Sequence, residues 1–306
     1  MPLLEEQLKP WFESLGLATL AYHWHIILLS NLACNLIFQT SIALSPFVFP
    51  KTYPKLQGFK RANWDIHTLS MVHCITIVLG ALPMLWDPDL LQDRVFGYSS
   101  WAGNVFSIAC GYFLWDIFTS LRYWKEQGIG FVFHGICSFT VYILSFRPFL
   151  NYYGAVFLMF EMSTPFLNIN WFLDKLGMTG SPAQIVNGIF LLLTFFWVRL
   201  VFGFYMSYRT YVDVSAVIDR VPTFHCVVYG VANVVLNFLN VYWFGLMIKS
   251  LSRRFKSAPP KSNGEEVEAL LPVNGQFVDT DKIGGHANGM EPAIAMTGVK
   301  RKPKAV

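Results

Sequence analysis

Seven apolar runs separated by short polar segments dominate the chain, at about His25–Phe47, Ile66–Trp86, Trp101–Leu121, Phe131–Phe146, Phe149–Asn168, Gln184–Tyr208 and Phe224–Ile248. Each approaches the ~20 residues that carry a helix across the hydrocarbon core of a bilayer. The pattern predicts an all-α polytopic membrane protein, a bundle of about seven transmembrane helices. The fourth and fifth runs are short, and Arg147-Pro148 is the only break between them. They fit either two spans joined by a tight turn or a re-entrant pair. Three regions follow: residues 1–59, an acidic amphipathic segment plus the first span; residues 60–256, the main bundle; and residues 257–306, where Pro, Gly, Asn and Glu replace the apolar residues. The last composition predicts a disordered cytosolic tail.

Composition sharpens the class. The 306 residues are 54% hydrophobic and 14% charged, against about 25% charged in soluble domains. The net charge of +4 is spread over loops and tail, without the dense basic stripe that binds nucleic acid. It speaks to topology instead. With the N-terminus in the lumen, the cytosolic segments hold twelve basic residues: Lys51, Lys55, Lys60, Arg61, Arg122, Lys125, Lys175, Lys249, Arg253, Arg254, Lys256 and Lys261. The lumenal segments hold five, Lys9, Arg94, Arg147, Arg209 and Arg220. The positive-inside rule therefore predicts a lumenal N-terminus and a cytosolic C-terminus. Lys302 and Lys304 stand fifth and third from the end. There they resemble a dilysine retrieval signal read by coat proteins, which predicts an endoplasmic-reticulum address; a generic basic tail is the alternative. The five cysteines all fall in apolar runs, with no CxxC pair, so they read as small buried hydrophobes. No cofactor or metal site is expected: the chain has no P-loop, zinc signature, Gly-rich dinucleotide turn or GxSxG elbow.

Ionisable and amide residues inside the apolar runs carry the candidate chemistry, because charge within a bilayer is costly. Asp116 near the end of the third run and His134 near the start of the fourth are joined by a short turn with Arg122 and Lys125. The two helices are expected to be antiparallel neighbours, with the pair at one depth near the cytosolic end. A carboxylate that accepts from one imidazole nitrogen makes the other a better base. The same pair also fits a structural hydrogen bond between helices. His73 is expected to join that layer, whereas Asp65 and His67 read as solvated near the interface, and His23 and His25 as interfacial. In the fifth run, Pro165 is expected to kink the helix. Glu161 there and Arg199 in the sixth run are the natural ion pair, either a helix lock or part of a lipid site. Asn233, Asn237 and Asn240 share one helix face that points into the bundle, with Asn187 a further candidate. The tryptophans near span ends, Trp24, Trp64, Trp86, Trp101, Trp124, Trp171 and Trp243, read as interfacial belts.

Several strings resemble a known family. FEMSTPFLNINWFL followed by NGIFLLLTFFWVR, GYFLWD with His134 eighteen residues after Asp116, and SMVHC around His73 are together similar to the TLC-domain membrane proteins. The likeness is greatest to the branch of TLC-domain-containing protein 4, and it extends more distantly to the ceramide synthases. It covers about Lys60–Lys256. It implies seven or eight spans, residence in the endoplasmic reticulum and a role in lipid homeostasis, with membrane lipids and acyl-CoA as ligands. In the ceramide synthases a His-His pair with nearby Asp residues transfers an acyl group from acyl-CoA to a long-chain base. Carried over, that makes His134, Asp116 and His73 the catalytic candidates. Here Gly135 stands at the second histidine's position, so that mechanism does not transfer as written. Glu161, Asn168, Arg199 and Asn237 are the lipid-binding candidates. The sequence leaves two functional classes open: a lipid protein, either acyltransferase or non-catalytic binder or sensor, and a cargo receptor or membrane-protein chaperone.

Overall fold

The computed structural model describes residues 2–255, 271–273 and 276–278. The helices run in chain order: α1 (Pro2–Ser14), α2 (Trp24–Val48), α3 (Phe59–Ala81, prolonged by a 3-10 turn to Trp86), α4 (Pro88–Gln92), α5 (Ser100–Arg122), α6 (Trp124–Gln127) and α7 (Ile129–Leu144). Next come α8 (Asn151–Leu158), a 3-10 turn (Met159–Ser163), α9 (Thr164–Lys175), α10 (Pro182–Thr194), a π-helical stretch (Phe195–Phe202), α11 (Gly203–Ser215) and α12 (Thr223–Phe255). Leu271–Val273 and Gln276–Val278 pair as two short antiparallel strands. The rest of the expected disordered tail over 257–306, with Lys302 and Lys304, lies outside the described residues.

Among the described residues, five helical stretches are long and apolar enough to cross a membrane: Trp24–Val48, Phe59–Trp86, Ser100–Arg122, Pro182–Ser215 and Thr223–Ser252. Ile129–Leu144 is a shorter apolar helix. The expected fifth span is α8, the 3-10 turn and α9 in succession, because Pro165 opens a new helix in its first turn. The all-α polytopic fold holds, with its helices most broken up over residues 145–175 and a π-helical stretch at Phe195–Phe202. Loop 49–58, turn 123–128 and segment 176–181 share one end of the bundle, here called the basic end. The connections 87–99, 145–150 and 216–222 share the other.

Helix α5 is the hub, with 61% of its apolar window buried against 17–39% in the other four spans. Ser99 caps it by accepting the Ala102 N–H. Its small residues let α2 approach closely: a Cβ at Gly111 would sit 2.6 Å from the Ile27 carbonyl. That contact is tied by Ser30 Oγ donating to the Ile108 carbonyl at 2.8 Å and by Asn31 Nδ2 donating to the Gly111 carbonyl. On its other side α5 packs against α7, which starts after Gly128 in the left-handed region at φ +97°.

The structure corrects several polar assignments. Asp65 is not solvated: it is buried, accepting from Ser41 Oγ at 2.6 Å and Tyr53 Oη at 2.9 Å. His67 is fully buried, stacked on Trp171 at 4.3 Å and hydrogen-bonded to Asn168 at 2.7 Å. Both are enclosed because Tyr53 and Phe49, from the loop after α2, close over this end and pack on Trp64. Trp64, Trp171 and Trp243 are accordingly core residues, while Trp86, Trp101 and Trp124 are exposed as a belt requires. His23 is also buried, bound to Asn104 and Tyr98 at 2.9 and 2.6 Å.

Candidate functional site

Two departures from α-helical geometry position the most polar cluster inside the bundle. The 3-10 turn Met159–Ser163 carries Glu161, and the π stretch Phe195–Phe202 carries Arg199. Insertions of π geometry into helices occur frequently at functional sites. Gly203 makes the approach possible, since a Cβ there would meet the Phe160 ring at 2.7 Å. Arg199 is buried. Its Nε donates to the Phe160 carbonyl at 3.0 Å and to Ser163 Oγ at 3.1 Å. The terminal nitrogens reach Thr164 Oγ1 at 3.3 Å and Asn240 Oδ1 at 3.4 Å, with Glu161 Oε1 at 3.6 Å. The expected ion pair is therefore present, but it is one contact among five, and the other four partners are neutral.

This cluster closes the inner end of a cavity of about 480 Å³ bounded by α7, α8, the 3-10 turn, α11 and α12. His134, Glu161, Arg199, Asn237 and Asn240 form its polar end. Its body is lined by Val141, Tyr142, Phe149, Leu150, Tyr153, Phe157 and Leu158, and it reaches Ile218 and Cys226 at the end of the bundle opposite the basic loops. The volume falls within the roughly 300–1,000 Å³ of small-ligand sites, as does the plan of apolar walls with a few convergent polar groups. Asn233 and Asn237 both donate to Ser207 Oγ, at 3.0 and 3.1 Å, clasping α12 to α11. Tyr153 donates to Asp213, which also pairs with Arg209, and this ties α8 to α11.

The structure separates the residues expected to act together. His134 lines the cavity and makes no hydrogen bond among the described residues; its ring lies 5.6 Å from that of Trp243 and edge-on to Phe113 at 6.1 Å. Asp116 does not meet it. The carboxylate turns to the α7 backbone, where a Cβ on Gly135 would lie 3.3 Å from Oδ2, and Oδ1 is buried without a partner. Residues 134 and 135 differ by about 100° around a helix, and the carboxylate lies on the Gly135 side. His73 stacks face-on with Tyr112 at 3.6 Å, its Nε2 unpartnered, and Phe113 stands edge-on at 6.1 Å between it and the cavity. The predicted layer of Asp116, His134 and His73 thus has no proton path through direct hydrogen bonds. Asn168 is likewise absent from the cavity wall; its side chain is engaged by His67 and Ser70. Asn187 binds the Phe166 carbonyl rather than joining the asparagine face of α12. The sequence reading missed Tyr153, Ser207 and Tyr229 as cavity residues, because a lone hydroxyl in an apolar run gives no signal of which way it faces. Among the described residues no group of three or more His, Cys, Asp or Glu is placed to hold a metal ion.

The arrangement defines a membrane-embedded helical bundle with an internal apolar cavity whose charged end lies within the membrane part. The chain belongs to the TLC domain family: the TRAM_LAG1_CLN8 TLC domain matches residues 63–249. It is 38% identical to an uncharacterised TLC domain-containing protein of Schizosaccharomyces pombe, covering 90% of this chain and 92% of that one. It is 34% identical to topoisomerase I damage affected protein 4 of Saccharomyces cerevisiae over 78% of this chain and 87% of that one. To TLC domain-containing protein 4 of Xenopus tropicalis it is 30% identical, over 75% and 91%.

Proposed function

We propose that this protein serves lipid homeostasis in the endoplasmic-reticulum membrane as a lipid binder. An acyl chain lies along the apolar cavity wall, and a carbonyl or head-group oxygen faces Arg199, His134 and Asn237. The observation that carries this reading is the cavity itself: an apolar body ending in a buried guanidinium whose partners are mostly neutral. With Glu161 3.6 Å away the pair is close to neutral overall, and it offers an occupant's oxygen a local dipole and guanidinium N–H donors. Binding is favoured over acyl transfer from acyl-CoA because Asp116 faces Gly135 and leaves His134 without a carboxylate partner. The cavity also extends away from the basic end, the side expected to face cytosolic acyl-CoA. Coat proteins reading Lys302 and Lys304, with the tail cytosolic, complete the proposal; removing residues 302–306 is expected to shift the protein towards the Golgi.

Gly230 provides the test. It lines the cavity, and a Cβ added there meets nothing within 4 Å. Gly230→Phe fills space without a backbone clash and replaces a poor helix former. Purified wild type is expected to carry lipid detectable by mass spectrometry after extraction, and Gly230→Phe to carry several-fold less at equal monodispersity. Glu161→Ala is expected to alter which lipids are retained. Equal lipid content and profile in all three proteins would reject the reading. Acyl transfer from acyl-CoA by wild type, abolished in His134→Ala, would replace it with the enzymatic one.

A further inference from the structure

A second recess lies at the basic end, on the far side of α5 from the cavity. It is a groove of about 690 Å³ between α2, α3 and α5. Two arginines from different helices line it: Arg61 in the first turn of α3 and Arg122 at the last residue of α5. Asn31, Asn35 and Gln39 of α2 add amides along one wall, and Thr119 adds a hydroxyl. The one acid in the lining, Asp65, is buried with its oxygens taken by Ser41 and Tyr53, so it is not available as a direct counter-ion. Arg61 donates to the Pro54 carbonyl and lies over the Tyr53 ring. Arg122 has only the Tyr123 ring beneath it, at 5.6 Å; no carboxylate pairs with it among the described residues. The mouth of the groove is apolar: Ile42 is 38% and Phe118 66% exposed, at the level where the lipid-facing surfaces of α2 and α5 give way to the loops.

We infer that this groove is a binding site for an anionic phospholipid, its phosphate held by Arg61 and Arg122 and its acyl chains lying against Ile42 and Phe118. Three features select that occupant. The two guanidiniums present planar donors suited to phosphate oxygens. The only acid in the lining, Asp65, is buried with its oxygens on Ser41 and Tyr53, so it offsets part of the positive field without pairing directly with either guanidinium. The exposed apolar mouth continues into the membrane, which suits a tethered anion better than a free one. Basic residues at a membrane surface recognise anionic head groups in this way. The site is separate from the cavity and does not depend on what the cavity holds.

The full chain in mild detergent is the material for the test. Native mass spectrometry against phosphatidylserine and against phosphatidylcholine reads the preference directly. Wild type is expected to retain phosphatidylserine preferentially. Arg61→Gln or Arg122→Gln is expected to weaken that retention about five-fold, and the double variant about twenty-five-fold, the loss that follows from about 1 kcal/mol per basic residue near an anionic surface. Arg122→Lys is expected to keep most of it, and Glu161→Gln, in the other recess, all of it. Both arginines are exposed, so the substitutions leave the fold intact, with monodispersity as the control. Equal retention of the two lipids by wild type, or an unchanged preference in the double variant, overturns the inference. Displacement of phosphatidylserine by millimolar inorganic phosphate overturns the lipid as occupant, assigning the groove to a free anion.

Discussion

Arg199→Met is the most informative perturbation of the cavity's charged end. Methionine keeps a long unbranched side chain against the Phe160 and Phe195 rings, which lie 5.9 and 5.0 Å from the guanidinium. The Phe160 carbonyl, Ser163, Thr164 and Asn240 each lose a donor, and Glu161 loses its ion pair. The buried acceptors left without a donor carry most of the loss, about 1–3 kcal/mol for each that stays unsatisfied, and the stranded Glu161, 17% exposed, adds a smaller part. Glu161→Gln differs in kind. Its separation of 3.6 Å from the guanidinium is beyond hydrogen-bonding range. The carboxylate therefore acts through charge alone, and Arg199 keeps its four neutral acceptors. Its side chain is also 17% exposed to the cavity, and a partly solvated pair contributes at most about 1 kcal/mol. The expected order is a loss of about 3–5 kcal/mol for Arg199→Met and about 1 kcal/mol for Glu161→Gln. The double variant is expected to be more stable than Arg199→Met alone, since no carboxylate is then stranded. Chemical unfolding in mixed micelles, followed by tryptophan fluorescence, measures all three. Equal losses for the two single variants, or a double variant less stable than both, would refute the reading that Arg199 holds this cluster together.

Gly135→Ala is expected to cost about 1–3 kcal/mol by overpacking, since its Cβ would lie 3.0 Å from Ile117 Cγ1 and 3.3 Å from Asp116 Oδ2; adding Asp116→Ala should recover part of the loss in the same unfolding assay. His67→Ala is expected to cost about 2–4 kcal/mol, from the cavity beside Trp171 and the unpaired Asn168, and a loss under 1 kcal/mol would contradict its burial. His23, just outside the first span, has its pKa lowered from 6.5, first by burial, with Asn104 opposing and His25 adding to the shift. The unfolded chain takes up that proton first, so the contribution of neutral His23 is complete above about pH 6.5 and declines as pH falls below it. Melting temperature measured from pH 8 to pH 5 should fall less steeply in His23→Gln than in wild type.

The membrane fold was legible because seven apolar runs and 14% charge leave a chain no soluble core to build. The count of complete spans was less so, since Pro165 and the left-handed Leu150, at φ +58°, break residues 145–175 into pieces that hydropathy averages over. Glu161 and Arg199 could be paired from sequence, as opposite charges in neighbouring apolar runs have few other partners. Their neutral companions could not, because Arg199 reaches Ser163, Thr164 and Asn240 only by virtue of a π turn and a 3-10 turn that no residue pattern announces. Asp65 and His67 show the opposite error. Charge near a helix end ordinarily means solvent, but Tyr53 arrives from a loop to close over them, a tertiary contact that is invisible locally.

The separation of Asp116 from His134 has a chemical consequence. Sequence spacing fixes the depth of two residues on antiparallel helices but not the rotation between them, and here the rotation places Gly135, not His134, against the carboxylate. Asp116 is left within the packing of α5 against α7, while His134 is left in the cavity with aromatic neighbours and no hydrogen-bond partner among the described residues. An imidazole with no carboxylate to orient it is poorly set up as a general base. It retains one donor and one acceptor for whatever enters the cavity. Beside the fixed guanidinium of Arg199, that makes the inner end a place where a lipid oxygen is held. His134→Phe should therefore change which lipids the protein retains, and a lipid profile identical to wild type would remove His134 from the binding surface.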